Sequence, residues 1–171
     1  MFFSGFCLHR EESLFSVWRV DNPYTVSGFS LGAIRAVEFV AQSSQRIELL
    51  QLFSPAYFCD KDERFKRLQK REYARDRENY GKIFLRNIAS PSTYDMTPFV
   101  TEGSEEELAL LLEYGWDKEV LQKIVDRGTR IEVFLGGRDV IIDPMATMEF
   151  FIPFGRVEVY KTYGHILKGE E

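Results

Sequence analysis

Gly28-Phe29-Ser30-Leu31-Gly32 is where chemistry is most legible in this chain. It fits the G-x-S-x-G pattern of a nucleophile elbow, in which a serine sits on a sharp strand-to-helix turn. Glycine at 28 and 32 keeps side chains out of the place where strand and helix cross, and tolerates the backbone of the turn. A helix opening after Ser30 points its free N–H groups at the reacting centre. The flanks agree: Tyr24-Thr25-Val26 favours a strand, and Ile34, Val37, Phe39 and Val40 recur near helical spacing. A serine hydroxyl is a weak nucleophile without a base, and histidine is the usual base near neutral pH. The chain offers two, His9 and His165. His9 reads as a surface or helix-entry residue, whereas His165 follows Gly164 in the loop after the last expected strand. Asp139, closing the loop Gly136-Gly137-Arg138-Asp139, is favoured as the carboxylate that orients the histidine. Its competitor Asp143 stands just before Pro144 and suits a helix N-cap. Ser30, Asp139 and His165 then follow the chain order serine, acid, histidine.

Acyl transfer also needs donors for a developing oxyanion, each worth about 3 kcal/mol. One is expected at the backbone N–H of Leu31, directly after the nucleophile. The other is expected from the first loop, at Phe6 N–H. Ser4 and Ser27 read as structural, and Cys7 has no second base near it. Cys7 and Cys59 are the only cysteines, and they form neither a disulfide framework nor a metal-ligand spacing.

The elements that must position these groups follow from patterning. Met1 to Ser4 reads as a short strand, Glu11 to Trp18 as a short helix, Tyr24 to Ser27 as the elbow strand, and Arg46 to Phe53 as a third strand ended by Ser54-Pro55. From about residue 57 the chain turns charged and helical. Phe65, Leu68, Tyr80 and Ile83 fall along one side of a long helix that Ser90-Pro91-Ser92 breaks. Ser104-x-x-Glu107 resembles a capping box before Leu108, Leu111 and Leu112. Asp117 to Arg127 is amphipathic and closed by Gly128. Thr129 to Leu135 is a strand, Asp143-Pro144 opens a helix to about Phe151, and Arg156 to Tyr160 is the last strand. Strands alternating with helices imply an α/β fold: about five parallel strands with helices on both faces. Residues 1–56 and 128–171 form the core, and 57–127 a helical cap inserted after the third strand. The loops 4–7, 28–32, 136–139 and 162–165 all leave carboxyl ends of strands and should meet at one edge of the sheet, beneath the cap.

The 171 residues are enough for one domain with a real core, and 44% hydrophobic residues exclude a disordered chain. A net charge of −5 argues against nucleic acid as a partner. No apolar run is long enough to span a membrane, and Met1-Phe2-Phe3 lacks the basic start of a signal peptide, so a cytoplasmic protein without membrane association is expected. Charge is unevenly placed, however: residues 61–77 hold eight Lys/Arg against four Asp/Glu. On a helix Arg64, Arg67, Arg71 and Arg75 share a stripe about 80° wide, with Lys66, Lys70 and Arg77 on a second. Such a face is also compatible with simple solvation and i,i+4 pairs such as Glu63 with Arg67.

At these residues the chain resembles the α/β-hydrolases, and within them the pimeloyl-acyl-carrier-protein methyl ester esterases of biotin synthesis, especially their short forms. The resemblance is carried by Phe2-Phe3-Ser4-Gly5-Phe6, Gly28-Phe29-Ser30-Leu31-Gly32, Gly137-Arg138-Asp139-x-x-Ile142-Asp143-Pro144 and Gly164-His165. A further segment, Phe65-x-x-Leu68-Gln69 followed by Ala74-Arg75, is similar to the part of the cap that lines the acyl channel in that family. The family usually has His-Gly-Trp-Gly at the first loop, where this chain has Ser4-Gly5-Phe6-Cys7. The resemblance implies a minimal hydrolase with strand order 1-2-3-4-5, lacking the strands that normally precede the first loop. It implies a cofactor-free and metal-free serine carboxylesterase that cleaves the methyl ester of pimeloyl-acyl carrier protein. Phe6, Phe65, Leu68 and Gln69 would line the acyl channel, and Arg64, Arg67, Lys70, Arg71 and Arg75 would dock the acidic carrier protein. Two other readings stand beside it: a general short-chain esterase or acyl thioesterase, and a non-catalytic hydrolase fold acting as a binding module.

Overall fold

Strands β1 (Phe2–Phe3), β2 (Thr25–Phe29), β3 (Leu49–Phe53), β4 (Arg130–Gly136) and β5 (Arg156–Tyr160) pair in parallel as one sheet, in the order β1-β2-β3-β4-β5. The computed structural model describes residues 1–170. Among these residues, no helix is long and apolar enough to cross a membrane. β2 and β3 are buried along their whole lengths, as central strands of a parallel sheet must be. The register sets Phe29 beside Phe53, Phe53 beside Phe134, and Gly136 beside Tyr160. The carboxyl ends of the strands are therefore level, and the loops that follow them leave from one edge.

Side chains alternate across the sheet, and two glycines show which face carries the helices. A Cβ on Gly28 would lie 2.1 Å from the carbonyl oxygen of Gly32, so helix α1 (Leu31–Gln42) crosses β2 on the Gly28 face. Phe29, Phe53 and Phe134 point the other way. There Phe15 stacks on Phe53 at 4.6 Å and lies 4.9 Å from Phe29, while Phe134 stacks on Phe53 at 5.2 Å. The expected helix from Glu11 to Trp18 is instead a 3₁₀ turn over Glu11–Phe15, and it covers this second face. Trp18 continues the cover, its ring 5.4 Å from Tyr160 and its Nε1–H donating to the Tyr160 hydroxyl at 2.7 Å.

The steps from β1 to β2 and from β2 to β3 move the same way across the sheet but over opposite faces. The two crossovers therefore have opposite hands. Nearly all parallel crossovers are right-handed because a twisted strand feeds a helix that packs back onto the sheet. The β1–β2 connection holds no α-helix, so that cause is absent.

Between β3 and β4 lie α2 (Glu63–Arg75), α3 (Arg77–Ala89), α4 (Glu105–Glu113) and α5 (Lys118–Asp126); α6 (Pro144–Phe151) joins β4 to β5. The long helix expected across Phe65 to Ile83 is two helices. Asp76 leaves the helical conformation (φ −156°, ψ 88°) and caps α3 by accepting the Asn79 N–H at 3.0 Å. The third strand is also shorter than expected, beginning at Leu49. The Ser104–Glu107 capping box forms, with the Glu107 N–H donating to Ser104 Oγ at 3.1 Å. α4 and α5 pack against α1, and Trp116 in the link between them lies on that side of the sheet. Its Nε1–H donates to the Ala56 carbonyl at 3.0 Å, and its ring meets Phe151 of α6 edge-on at 5.0 Å.

Candidate active site

Ser30 sits between β2 and α1 with φ 53° and ψ −114°, a backbone region that costs about 1–3 kcal/mol for a residue with a side chain. Close packing holds it there. A Cβ on Gly32 would lie 2.0 Å from the Phe3 carbonyl oxygen, so only glycine lets the start of α1 pass the end of β1. The Ser30 N–H donates to the Phe53 carbonyl at 3.0 Å, and the Ser30 carbonyl accepts from Ala33 N–H at 3.1 Å and Ala56 N–H at 3.2 Å.

The loop after β5 brings His165 to this serine, with Nε2 3.1 Å from Ser30 Oγ. On the other side of the ring, Nδ1 lies 2.6 Å from Asp139 Oδ2. An ionised carboxylate only accepts, so Nδ1 carries the proton toward Asp139, and Nε2 is left to accept from the Ser30 hydroxyl. Asp139 is fixed in turn, because Oδ1 accepts from the N–H groups of Ile141 (2.7 Å) and Ile142 (3.2 Å). The structure thus brings together Ser30, His165 and Asp139. Asp143 instead caps α6, accepting from Met145 and Ala146 N–H at 2.9 and 3.1 Å. His9 is exposed and sits 3.1 Å from the Phe99 carbonyl. Ser30 is 1% exposed and His165 0%.

Leu31 is the first residue of α1, so its N–H has no acceptor within the helix. In the first loop the Gly5 N–H donates to Glu11 Oε1 at 2.7 Å, and Cys7 adopts φ 58°. Phe6 N–H has no hydrogen-bond acceptor among the described residues. Burial pushes the Cys7 thiol up to about 11, which keeps it protonated and unreactive at neutral pH. The Phe6 ring is buried against Tyr73 of α2 (5.8 Å) and Phe84 of α3 (5.5 Å).

Between α2, α3 and α4 is a cavity of about 220 Å³, lined by Phe65, Phe84, Leu108, Leu111 and Leu112, with Gln69, Tyr80 and Asn87 as polar groups. Val140 and Ile141, the residues directly after Asp139, form another wall. Of the four residues expected to line an acyl channel, Phe65 and Gln69 reach this cavity. Phe6 does not line it but packs on the wall residue Phe84. Leu68 points away, 41% exposed, in an outer groove shared with Arg64, Arg67 and Arg71. The five basic residues also divide. Arg64, Arg67, Arg71 and Arg75 are exposed along α2, with Arg75 2.5 Å from Glu72, whereas Lys70 pairs with Glu113 of α4.

Two residues at the site were not anticipated. Glu11, wholly buried, grips the first loop; its place at the start of the helix expected over Glu11 to Trp18 carries no sign of this. Ser54 donates from Oγ to the His165 carbonyl at 2.6 Å. The signal available for it was a serine before proline at a strand end, which reads as a turn residue.

The sequence matches no protein-family model, and it matches no curated protein. Its fold does match solved structures. A hydrolase from Oleispira antarctica superposes with a TM-score of 0.64 at 13% identity, over 84% of this chain and 58% of that one. BioG from Haemophilus influenzae gives 0.62 at 12% identity, over 96% of this chain and 87% of that one. Naproxen esterase, carboxylesterase NP from Bacillus subtilis, gives 0.56 at 20% identity, over 84% and 53%. The chain thus spans a little over half the length of that esterase and of the Oleispira hydrolase. With the sheet order β1-β2-β3-β4-β5 already described, these likenesses show a minimal α/β-hydrolase fold.

Proposed function

We propose that this protein is a serine carboxylesterase that hydrolyses the methyl ester of pimeloyl-acyl carrier protein. The observation that carries the esterase reading is His165, held between Asp139 and Ser30 at 2.6 and 3.1 Å. Ser30 Oγ attacks the ester carbonyl carbon while His165 Nε2 takes its proton. The carbonyl oxygen becomes an oxyanion that accepts from the N–H groups of Leu31 and Phe6. The tetrahedral intermediate collapses, His165 returns the proton to the departing methoxide, and methanol leaves. Water then attacks the acyl-enzyme with His165 as base, releasing the carboxylic acid and restoring Ser30. Asp139 holds the imidazole in the required tautomer and stabilises its charged form.

The finer reading rests on the resemblance in sequence and on two features of the structure. The cavity beside the Asp139 loop is mostly apolar, as a hydrocarbon chain requires. The exposed arginines of α2 offer a cationic face to an acidic carrier protein. The size of the cavity, about 220 Å³, favours a second reading: an esterase or thioesterase for short acyl chains.

Hydrolysis of both substrates by wild type and Ser30→Ala tests these readings. Cleavage of the carrier-protein methyl ester by wild type, reduced about 10⁴-fold or more in the variant, is expected. Cleavage of p-nitrophenyl butyrate alone would keep the esterase and discard the carrier-protein substrate. Equal rates for wild type and Ser30→Ala would refute the role of Ser30.

A further inference from the structure

We infer that Ser54 is a positioning residue that sets the His165 imidazole against Ser30. The turn after β3, Phe53 to Ala56, touches both partners of the Ser30–His165 pair. The Phe53 carbonyl accepts from the Ser30 N–H, and the Ala56 N–H donates to the Ser30 carbonyl. Between them Ser54 donates from Oγ to the carbonyl of His165 at 2.6 Å, across 111 residues of sequence. The Ser54 N–H donates to the Phe134 carbonyl at 2.8 Å, which ties the turn to β4, the strand whose loop bears Asp139. One four-residue turn thus fixes the backbone of the nucleophile and the backbone of the base relative to one another.

The identity of the residue supports a role for the hydroxyl. Ser54 has φ 41° and is wholly buried. Glycine adopts that backbone without steric cost, and serine does not. What serine adds is a donor for a buried carbonyl, and among the described residues the His165 carbonyl takes no other hydrogen bond. Without that donor the peptide at 165 is free to rotate, and the imaginary line from Nε2 to Ser30 Oγ shifts. A displacement of about 1 Å in a reacting group costs about 100-fold in rate.

The inference rests on the esterase reading only for its kinetic consequence, and the test separates the two. Ser54→Gly removes the hydroxyl and suits the backbone, so the variant is expected to fold, with relief of the positive φ offsetting part of the loss of the buried hydrogen bond and Tm changing by a few degrees at most. Its labelling by a fluorophosphonate at Ser30 is expected to slow about 10- to 100-fold, with kcat for p-nitrophenyl butyrate falling in parallel and KM unchanged. The independent readout is NMR of protein labelled with ¹⁵N-histidine, which has only two histidines to resolve. The Nδ1–H resonance of His165, hydrogen-bonded to Asp139, is expected in wild type and is expected to shift or broaden in Ser54→Gly. An unchanged His165 resonance overturns the positioning role, as does labelling at the wild-type rate. A wild type that no fluorophosphonate labels, with the resonance still altered by Ser54→Gly, would sink the esterase reading and leave the positioning role standing.

Discussion

Glu11 brings a carboxylate into the apolar interior with one oxygen on the Gly5 N–H and the other, Oε2, without a partner. Burial raises its carboxyl above the ordinary range, and the Gly5 hydrogen bond opposes that rise only in part. The folded protein therefore keeps a proton on Glu11 at pH values where the unfolded chain has released it. The stability linked to that proton is fully present below the ordinary carboxylate pKa of about 4.3, and it is lost as pH rises through the raised value. Glu11→Gln keeps a carbonyl oxygen for Gly5 and has no proton to lose. Its Tm is expected to equal that of wild type in acid and to exceed it at neutral pH, with activity retained. A Tm difference that does not change with pH would show that Glu11 titrates normally. Glu11 and Ser54 were not legible because their roles depend on what the fold places beside them, and neither has a motif of its own. Ser30, Asp139 and His165 were legible because each is announced locally: by glycines at fixed offsets, by a strand end, or by the scarcity of histidine.

α2 shows how far element patterning carries. Its start is fixed by Asp62, which accepts the Phe65 N–H at 2.8 Å, and its outer stripe of arginines follows from helical rotation. That rotation is continuous only as far as Asp76, where the chain leaves the helix and α3 begins with a new phase. The departure of Leu68 from the expected face nevertheless arises within α2 itself, before that break. Phe65 and Tyr80 turn inward to the cavity, while Leu68 is 41% exposed beside Arg64 and Arg71. If the outer stripe docks a carrier protein, Arg71→Glu with Arg75→Glu is expected to lower kcat/KM for the carrier-protein ester about 10-fold or more at low salt. The difference from wild type should shrink as salt screens the pair, and p-nitrophenyl butyrate should be cleaved at the wild-type rate. Equal losses on both substrates would place the effect in the fold of α2 and not in docking.

At the scale of the molecule, five strand ends made level by register deliver Ser30, Asp139 and His165 to one edge. The order of strands was legible only through the family resemblance, which implied the 1-2-3-4-5 order that the sheet has. The opposite hands of the first two crossovers were not, since hand depends on which face the 4–24 connection takes. Its route over the face away from α1 leaves the two tryptophans on opposite sides of one sheet, Trp18 against Tyr160 and Trp116 against Phe151. Each layer thus carries its own fluorophore. Trp18→Phe and Trp116→Phe give single-tryptophan proteins whose emission follows one layer at a time in urea. Coincident midpoints are expected for a cooperative domain; an earlier loss of the Trp18 signal would identify the thin layer, turn and all, as a flap that peels from an intact sheet.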